Sequence, residues 1–461
     1  MKVLHVPFCF HPDPVGGTEV YVEHLARHLA ARGIECVVAA PEPGAEGRAY
    51  EHAGLRVVRY PVAPEVRDAA ELYGMRCDRA AAAFERVLEA ERPDLVHLHA
   101  LTRGVSPAMA RAARRRGIPV VFTYHTPAAS CQRGSLLEGG ARPCDGRLEV
   151  ARCAACSLGA LGVPALAGAA LARAPRALGA ALGRAGASGG AWTALRMPEL
   201  MSARIGAFRD MAHEADAVVA VAAWVRDLLL LNGVPREKVR LSRQGVSALP
   251  EGPAPAPRAP GGPLRVAILG RLDPLKGLDL PLRALADDPG LDVRLDVYGV
   301  AQPGGGAAYA ARLRGISAGD ARVRFLERLP GDGVVAALRG YDLLAVPSQA
   351  LETGPLVVLE AFAAGVPVVG SRLGGIAELV RDGVDGLLVP AGSPAEWGAA
   401  LRRLAGDPAL LERLRAGVRT PRTMADAADD MEALYRELLA TDSTSTRADD
   451  RTGLPNLCPS T

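Results

Sequence analysis

A doubled rhythm constrains this chain more than any other feature. Short apolar runs alternate with longer segments whose apolar residues recur every three or four positions, first over residues 2–126 and again from 264 onward. The first series reads KVLHVPF, a Gly-rich turn, VYVEHLARHLAARG, ECVVAAP, LRVVRYP, AAAFERVLEAE, DLVHLHA, AMARAARRRG and PVVFTYHT. The second reads RVAILG, GLDLPLRALA, DVRLDVYG, VRFLERL, YDLLAVPS, PLVVLEAFAAG, VPVVGS and DGLLVP. Continuous apolar runs suit strands covered on both faces, and a period near 3.6 suits helices packed on a sheet. Their alternation predicts parallel, doubly wound sheets. A Pro-rich stretch, EGPAPAPRAPGGP at 251–263, separates the two series and reads as an exposed linker. Two such halves leave a ligand cleft at the carboxyl ends of their strands.

The expected organisation follows. Residues 1–250 form a first Rossmann-like domain. Residues 131–202, rich in Cys and then in Ala, Gly and Arg, break the alternation and read as an insertion of two or three short helices. Residues 264–422 form a second Rossmann-like domain. Residues 423–440 predict a helix that returns to the first domain. The polar, aperiodic stretch 441–461 is expected to be disordered.

With 461 residues, 49% of them hydrophobic, the chain has ample material for two cores. A net charge of +3 is too small to argue for a nucleic-acid partner. Arg111, Arg114, Arg115 and Arg116 form a basic knot, read as a solvated helix end, with contact to an anionic membrane or a phosphorylated acceptor as the alternative. The opening MKVLHVPFCF is strand-like and lacks a signal-peptide pattern. The longest apolar candidate, 158–171, is short for a membrane span and is broken by Gly162 and Pro164. These features predict a cytoplasmic protein, with peripheral contact at the inner face of the membrane left open.

The most informative segment is LETGPLVVLEAFAAGVPVVG. Pro355 suits a first helical turn and Gly365 a C-terminal cap, so a helix of about ten residues is expected between them. It is apolar nearly all round, hence buried, yet it carries Glu360; a buried carboxylate needs a partner. Glu352 lies in the preceding loop with seven residues between it and Glu360, and the free N–H groups of the helix start, beside Thr353, Gly354, Pro355 and Leu356, suit an anionic diphosphate. Upstream, AILGRLDPLKGLD places Arg271 at a strand end and Lys276 before a helix, where two cations can converge on one point. Two glutamates so spaced resemble the signature of the retaining family 4 glycosyltransferases, and the resemblance runs from residue 1 to about 440. It implies a GT-B fold: α/β, two Rossmann-like doubly wound parallel-sheet domains facing a central cleft. By that resemblance Glu360 holds the nucleotide ribose, Glu352 meets the donor sugar, and Arg271 with Lys276 neutralises the diphosphate. The Gly374–Gly375 pair would lie against the donor, where a missing Cβ permits close approach. No Asp-x-Asp metal motif occurs in the chain. The donor is therefore expected to be a nucleotide sugar, GDP- or UDP-linked first, used without a catalytic divalent metal.

On the acceptor side, PVGGTEVYVEHL carries Gly16 and Gly17 at a helix entry and Glu19 in its first turn, similar to the family's Gly-Gly-x-Glu loop. His125 ends a strand where the family commonly has a His near the donor sugar and acceptor. His97 reads as packing and His99 stays undecided. Gln244 stands where the family usually has Asn, and the aromatic-Gly pair expected after Glu352 is missing, so donor identity transfers less directly than chemistry.

Eight cysteines occur, and four of them, Cys131, Cys144, Cys153 and Cys156, have gaps of twelve, eight and two residues. The last pair has the chelating spacing of zinc sites, and a cytosolic chain seldom keeps structural disulfides. Structural zinc is the first expectation, an iron–sulfur cluster the second, and four reduced thiols the alternative.

Taken together, the chain is expected to move a hexose-type sugar, with retention, from a nucleotide sugar to a hydroxyl of a carbohydrate, a lipid-linked saccharide or a small molecule. The alternatives are a non-catalytic GT-B subunit, a metal-stabilised binding module, or a sugar-nucleotide epimerase.

Overall fold

A computed structural model of the chain describes residues 1–13, 16–44, 46–66, 68–140, 142–247, 249, 261–301 and 305–449, with backbone alone at 332 and 442–449. Most of the expected linker, 251–260, and residues 450–461 lie outside the described residues.

The first series folds as β1 (Lys2–Val6), β2 (Glu35–Pro43), β3 (Arg48–His52), β4 (Leu55–Val62), β5 (Leu95–Leu98), β6 (Val120–Tyr124), a small hairpin β7 (Leu137–Glu138) and β8 (Arg142–Pro143), β9 (Ala217–Ala220) and β10 (Val239–Leu241). Apart from the hairpin, these make one eight-stranded sheet in the order β10-β9-β6-β5-β1-β2-β4-β3. All neighbours are parallel except β3 on β4, at the edge. The second series folds as β11 (Leu264–Leu272), β12 (Val293–Ala301), β13 (Val323–Leu326), β14 (Leu343–Val346), β15 (Val368–Ser371) and β16 (Gly386–Val389), a wholly parallel sheet in the order β13-β12-β11-β14-β15-β16. The central strands β1, β5, β6, β9 and β14 are buried along their length, as expected of strands with helices on both faces. In each sheet the strand order reverses beside the first strand, β1 or β11. That switch point opens a crevice at the carboxyl ends of the strands.

Three details differ from the sequence reading. Arg271 lies within β11, which continues to Leu272, instead of following the strand. Lys276 closes a 3-10 turn, Pro274–Lys276, and the helix begins only at Asp279. The insertion does hold three short helices, Val150–Ala160, Ala165–Leu171 and Arg176–Arg184, but a fourth, Gly190–Glu214, runs unbroken through 202 and through Pro198.

The last helix, Met424–Asp449, continues past the point where a disordered tail was expected. Its Met424, Ala427, Ala428, Met431, Leu434 and Tyr435 share one core cluster with Val3, Tyr21, Leu25 and Val38 of the first domain. Among the described residues no helix is long and apolar enough to cross a membrane.

Candidate active site

The loop after β14 carries Glu352 to the mouth of the crevice. Its Oε1 accepts hydrogen bonds from Lys276 Nζ and from Ser348 Oγ, each at 2.6 Å. Burial alone would raise the Glu352 carboxyl. Lys276, Ser348 and Arg271 more than offset that, and hold it below the usual carboxylate range. What brings Lys276 there is Gly277, whose left-handed backbone (φ 65°) lets the β11 loop pack on the β14 loop. A Cβ at 277 would lie 2.1 Å from the Pro347 carbonyl oxygen. Arg271 is exposed on the neighbouring strand end, and its charge acts on both Glu352 and Glu19.

Behind this loop, helix Leu356–Ala363 starts from Pro355 and stops at Gly365 (φ 73°). Its apolar side chains Val358, Leu359, Ala361 and Phe362 are buried. Glu360 is desolvated on the same helix with no compensating neighbour, and burial pushes its carboxyl up to about 7. Gly374 and Gly375 press on the Glu352 loop: the Gly375 N–H donates to the Glu352 carbonyl at 2.7 Å, and a Cβ on either glycine would fall within 3.0 Å of that oxygen. In this structure the pair braces the backbone of Glu352 and Thr353.

The first domain supplies the opposite wall. Helix Gly17–Ala30 begins at Gly16, whose N–H donates to Glu19 Oε2 at 2.8 Å. A Cβ on Gly17 would stand 3.9 Å from Leu356, so the glycine turn faces the first turn of the helix that bears Glu360. His125 follows β6 and is 5% exposed. Its Nε2 meets His99 Nδ1 at 3.1 Å, and His99 Nε2 meets His5 Nδ1 at 3.1 Å, so three imidazoles form a file running inward from the crevice. Burial lowers His5 and His125 to about 3 and depresses His99 as well, so the file is neutral. The other ring nitrogen of His125 faces Gln244 Nε2 at a loose 3.4 Å. His97, as expected, is a packing residue: both its nitrogens are taken, by Tyr435 Oη at 2.6 Å and Thr123 Oγ1 at 2.7 Å.

The two walls are stitched together by contacts that sequence spacing does not announce. Thr353 Oγ1 donates to the His125 carbonyl across the crevice. Trp224 Nε1 donates to the Glu352 carbonyl at 3.1 Å. Glu378 accepts the backbone N–H groups of Ala223 and Trp224 at 2.8 and 2.6 Å, and Arg243 at 3.2 Å. A Cβ on Gly354 would lie 2.6 Å from Gln244 Oε1, which ties the donor-side loop to the position where Gln replaces the expected Asn.

The four clustered cysteines are free thiols around one pocket of the insertion. The basic knot is neutralised: Arg111 pairs with Asp210 and Glu214, Arg114 with Asp216, Arg115 with Glu85, and Arg116 with Glu85 and Glu89.

The chain resembles known proteins over both halves. A family described as Glycosyl transferase 4-like domain matches residues 16–245, and one described as Glycosyl transferases group 1 matches 263–407. D-inositol 3-phosphate glycosyltransferase of Nocardia farcinica is 37% identical over 235 residues, 47% of this chain and 51% of that protein. The protein of the same name from Acidothermus cellulolyticus is 30% identical over 436 residues, covering 90% of this chain and 82% of the relative. Among solved structures, sucrose-phosphate synthase from Thermosynechococcus elongatus superimposes with a TM-score of 0.65 at 19% identity, over 96% of this chain and all of that one. Anabaena HepE in complex with UDP and glucose gives 0.59 at 17% identity, over 95% of this chain and 100% of that one. These likenesses carry the two-domain GT-B fold.

Proposed function

Since the chain belongs to the group 1, 4-like glycosyltransferases, we propose that it transfers a hexose from a nucleoside-diphosphate sugar to an acceptor hydroxyl with retention and without a catalytic divalent metal. The observation that carries this reading is the contact of Lys276 with Glu352 at 2.6 Å, with Arg271 acting on the same carboxylate, at the strand ends that face the first domain.

In this scheme the diphosphate lies along Arg271, Lys276 and the backbone N–H groups of Thr353, Gly354 and Leu356. The bond from the anomeric carbon to the phosphate oxygen breaks, with its electron pair going to the phosphate. The two cations stabilise the charge that develops there, which is the task a divalent ion performs elsewhere. The acceptor oxygen bonds to the same face of the sugar, and its proton passes to the departing phosphate. Glu352 positions Lys276 and faces the cationic sugar. Glu360, a desolvated carboxylate with two acceptor oxygens and no compensating partner among the described residues, suits the two ribose hydroxyls. His125 reaches the sugar by exchanging its loose contact with Gln244 for a hydroxyl.

The names of the relatives and of HepE make UDP-sugars and D-inositol 3-phosphate the first donor and acceptor to try. The test is a thermal-shift and turnover screen against UDP-, GDP-, ADP- and dTDP-sugars with EDTA present and absent, followed by NMR of the product. Metal-independent turnover with the donor's anomeric configuration kept is expected. An inverted product rejects retention; abolition by EDTA, restored by a divalent ion, rejects metal independence. No donor binding by folded protein rejects the transferase reading of this site.

A further inference from the structure

Three separate pieces of the insertion bring thiols to one pocket. Cys131 follows the turn Pro127–Ala129, Cys144 follows the hairpin β7–β8, and Cys153 and Cys156 lie one turn apart on helix Val150–Ala160. The pocket is otherwise lined mainly by carbon, including Leu136, Leu148, Met201 and Ile205. Arg204, from helix Gly190–Glu214, lines the same pocket. It is 2% exposed, and one of its nitrogens donates to the Ala128 carbonyl. Its Nε and Nη1 are buried with no partner. No ion pair between Arg204 and a carboxylate occurs among the described residues. A buried guanidinium with two idle donors is costly and calls for an anion that the protein's acids do not supply.

We propose that Cys131, Cys144, Cys153 and Cys156 hold a tetrathiolate metal centre, with Arg204 as its buried counter-cation. Four thiols release four protons as they bind, and four thiolates around a zinc ion leave two negative charges. That supplies the anion Arg204 lacks: its idle N–H groups donate to the ligand sulfurs, as groups around metal ligands commonly do. The spacing bears on which metal. Zn–S bonds of about 2.3 Å bring four sulfurs close together. In this structure the sets of three donor atoms lying within 4.8 Å of one another, among the described residues, include none of these cysteines. A single zinc ion would therefore require the thiols to draw closer together, whereas a polynuclear iron–sulfur centre is also held by four thiolates. In either form the centre pins the chain that leaves β6 just after His125. There, Tyr124 Oη and Ser130 Oγ already meet at 2.7 Å.

The test uses the full chain, expressed separately with added zinc and with added iron, and purified without oxygen. Zinc, iron, acid-labile sulfide and reactive thiols are measured. The expected result is either about one zinc per chain, or roughly two to four irons with matching sulfide and visible absorption. Cys153→Ser with Cys156→Ser should abolish metal retention, and Arg204→Gln should speed metal loss to a chelator, with Arg204→Lys partly restoring it. If the cysteine variants do not fold, the native protein decides alone: chelator treatment should release the metal and expose four further thiols. Folded protein with neither metal from either growth, and with these four thiols free or joined as disulfides, overturns the proposal.

Discussion

Glu378 of the second domain caps a helix of the first: its carboxylate takes the N–H of Trp224 at 2.6 Å and that of Ala223 at 2.8 Å. Helix Ala223–Leu231 has no side-chain cap of its own, so an acid from across the crevice satisfies the orphan donors at its positive end. Glu378→Ala should therefore weaken domain closure and leave each domain folded. A lost cap is worth about 1 kcal/mol, which corresponds to a roughly fivefold rise in donor KM. Small-angle scattering should show a larger mean radius. Unchanged scattering together with unchanged KM would show that the cap does not govern closure.

The Glu360 carboxyl, raised to about 7, makes donor binding depend on pH. Ribose hydroxyls donate to the ionised form, so affinity should rise as pH climbs through about 7, with release of a fraction of a proton measurable by calorimetry in buffers of different ionisation heat. The stability sign is opposite. An acid raised in the folded state stabilises below its unfolded value, near 4.5, and that stability is lost as pH rises toward 7. Glu360→Gln should thus be more stable than the native protein at pH 8, by up to roughly 2–3 kcal/mol, while losing donor affinity. Equal melting temperatures at pH 8 would argue against it.

Arg271→Ala and Lys276→Ala should each lower kcat by about two to three orders of magnitude, the usual loss when one group that holds developing charge is removed. Lys276→Ala has a second signature. Without its nearest cation Glu352 keeps only Ser348 and Arg271 against desolvation, so its carboxyl should titrate higher and the acid limb of the kcat profile should move up. A Lys276→Ala enzyme with normal kcat would place the leaving-group charge elsewhere.

His5, His97, His99 and His125 are all buried, and burial depresses each of them. They stay neutral in the folded chain at pH 5 but charge near 6.5 once unfolded. Stability is therefore full above about 6.5 and falls as pH drops, by about 1.4 kcal/mol per pH unit for each histidine. Urea midpoints at pH 7.5, 6.5 and 5.5 should show a steep decline confined to the lower interval, and less steep in His5→Gln. A flat profile would mean that the file is already open to protons in the native state.

The sheets were readable because alternating apolar runs and helical periods are local signals. The settings of Glu352 and Glu360, loop and buried helix, were readable because Pro355 and Gly365 mark the helix ends. What stayed hidden depends on pairs distant in the chain. The partners of Glu378 are backbone N–H groups some 155 residues away, and backbone donors leave no trace in residue type. The imidazole file needs β1, β5 and β6 to be neighbours, which follows from strand order and not from strand pattern. The long helix Gly190–Glu214 was missed because it follows an Ala- and Gly-rich stretch and Pro198 reads as a breaker.

His97 finds its hydrogen-bond partner, Tyr435, 338 residues further along the chain. The core of the first domain is therefore incomplete until residue 435 has been made. At synthesis rates of about 5–20 residues per second, His97 waits roughly 17–70 s for this partner. A fragment ending at the Pro-rich stretch would expose Val3, Tyr21, Leu25 and Val38 where the returning helix belongs. Although its sheet is made first, the amino-terminal half receives its last core residues only after every strand of the second sheet has been made.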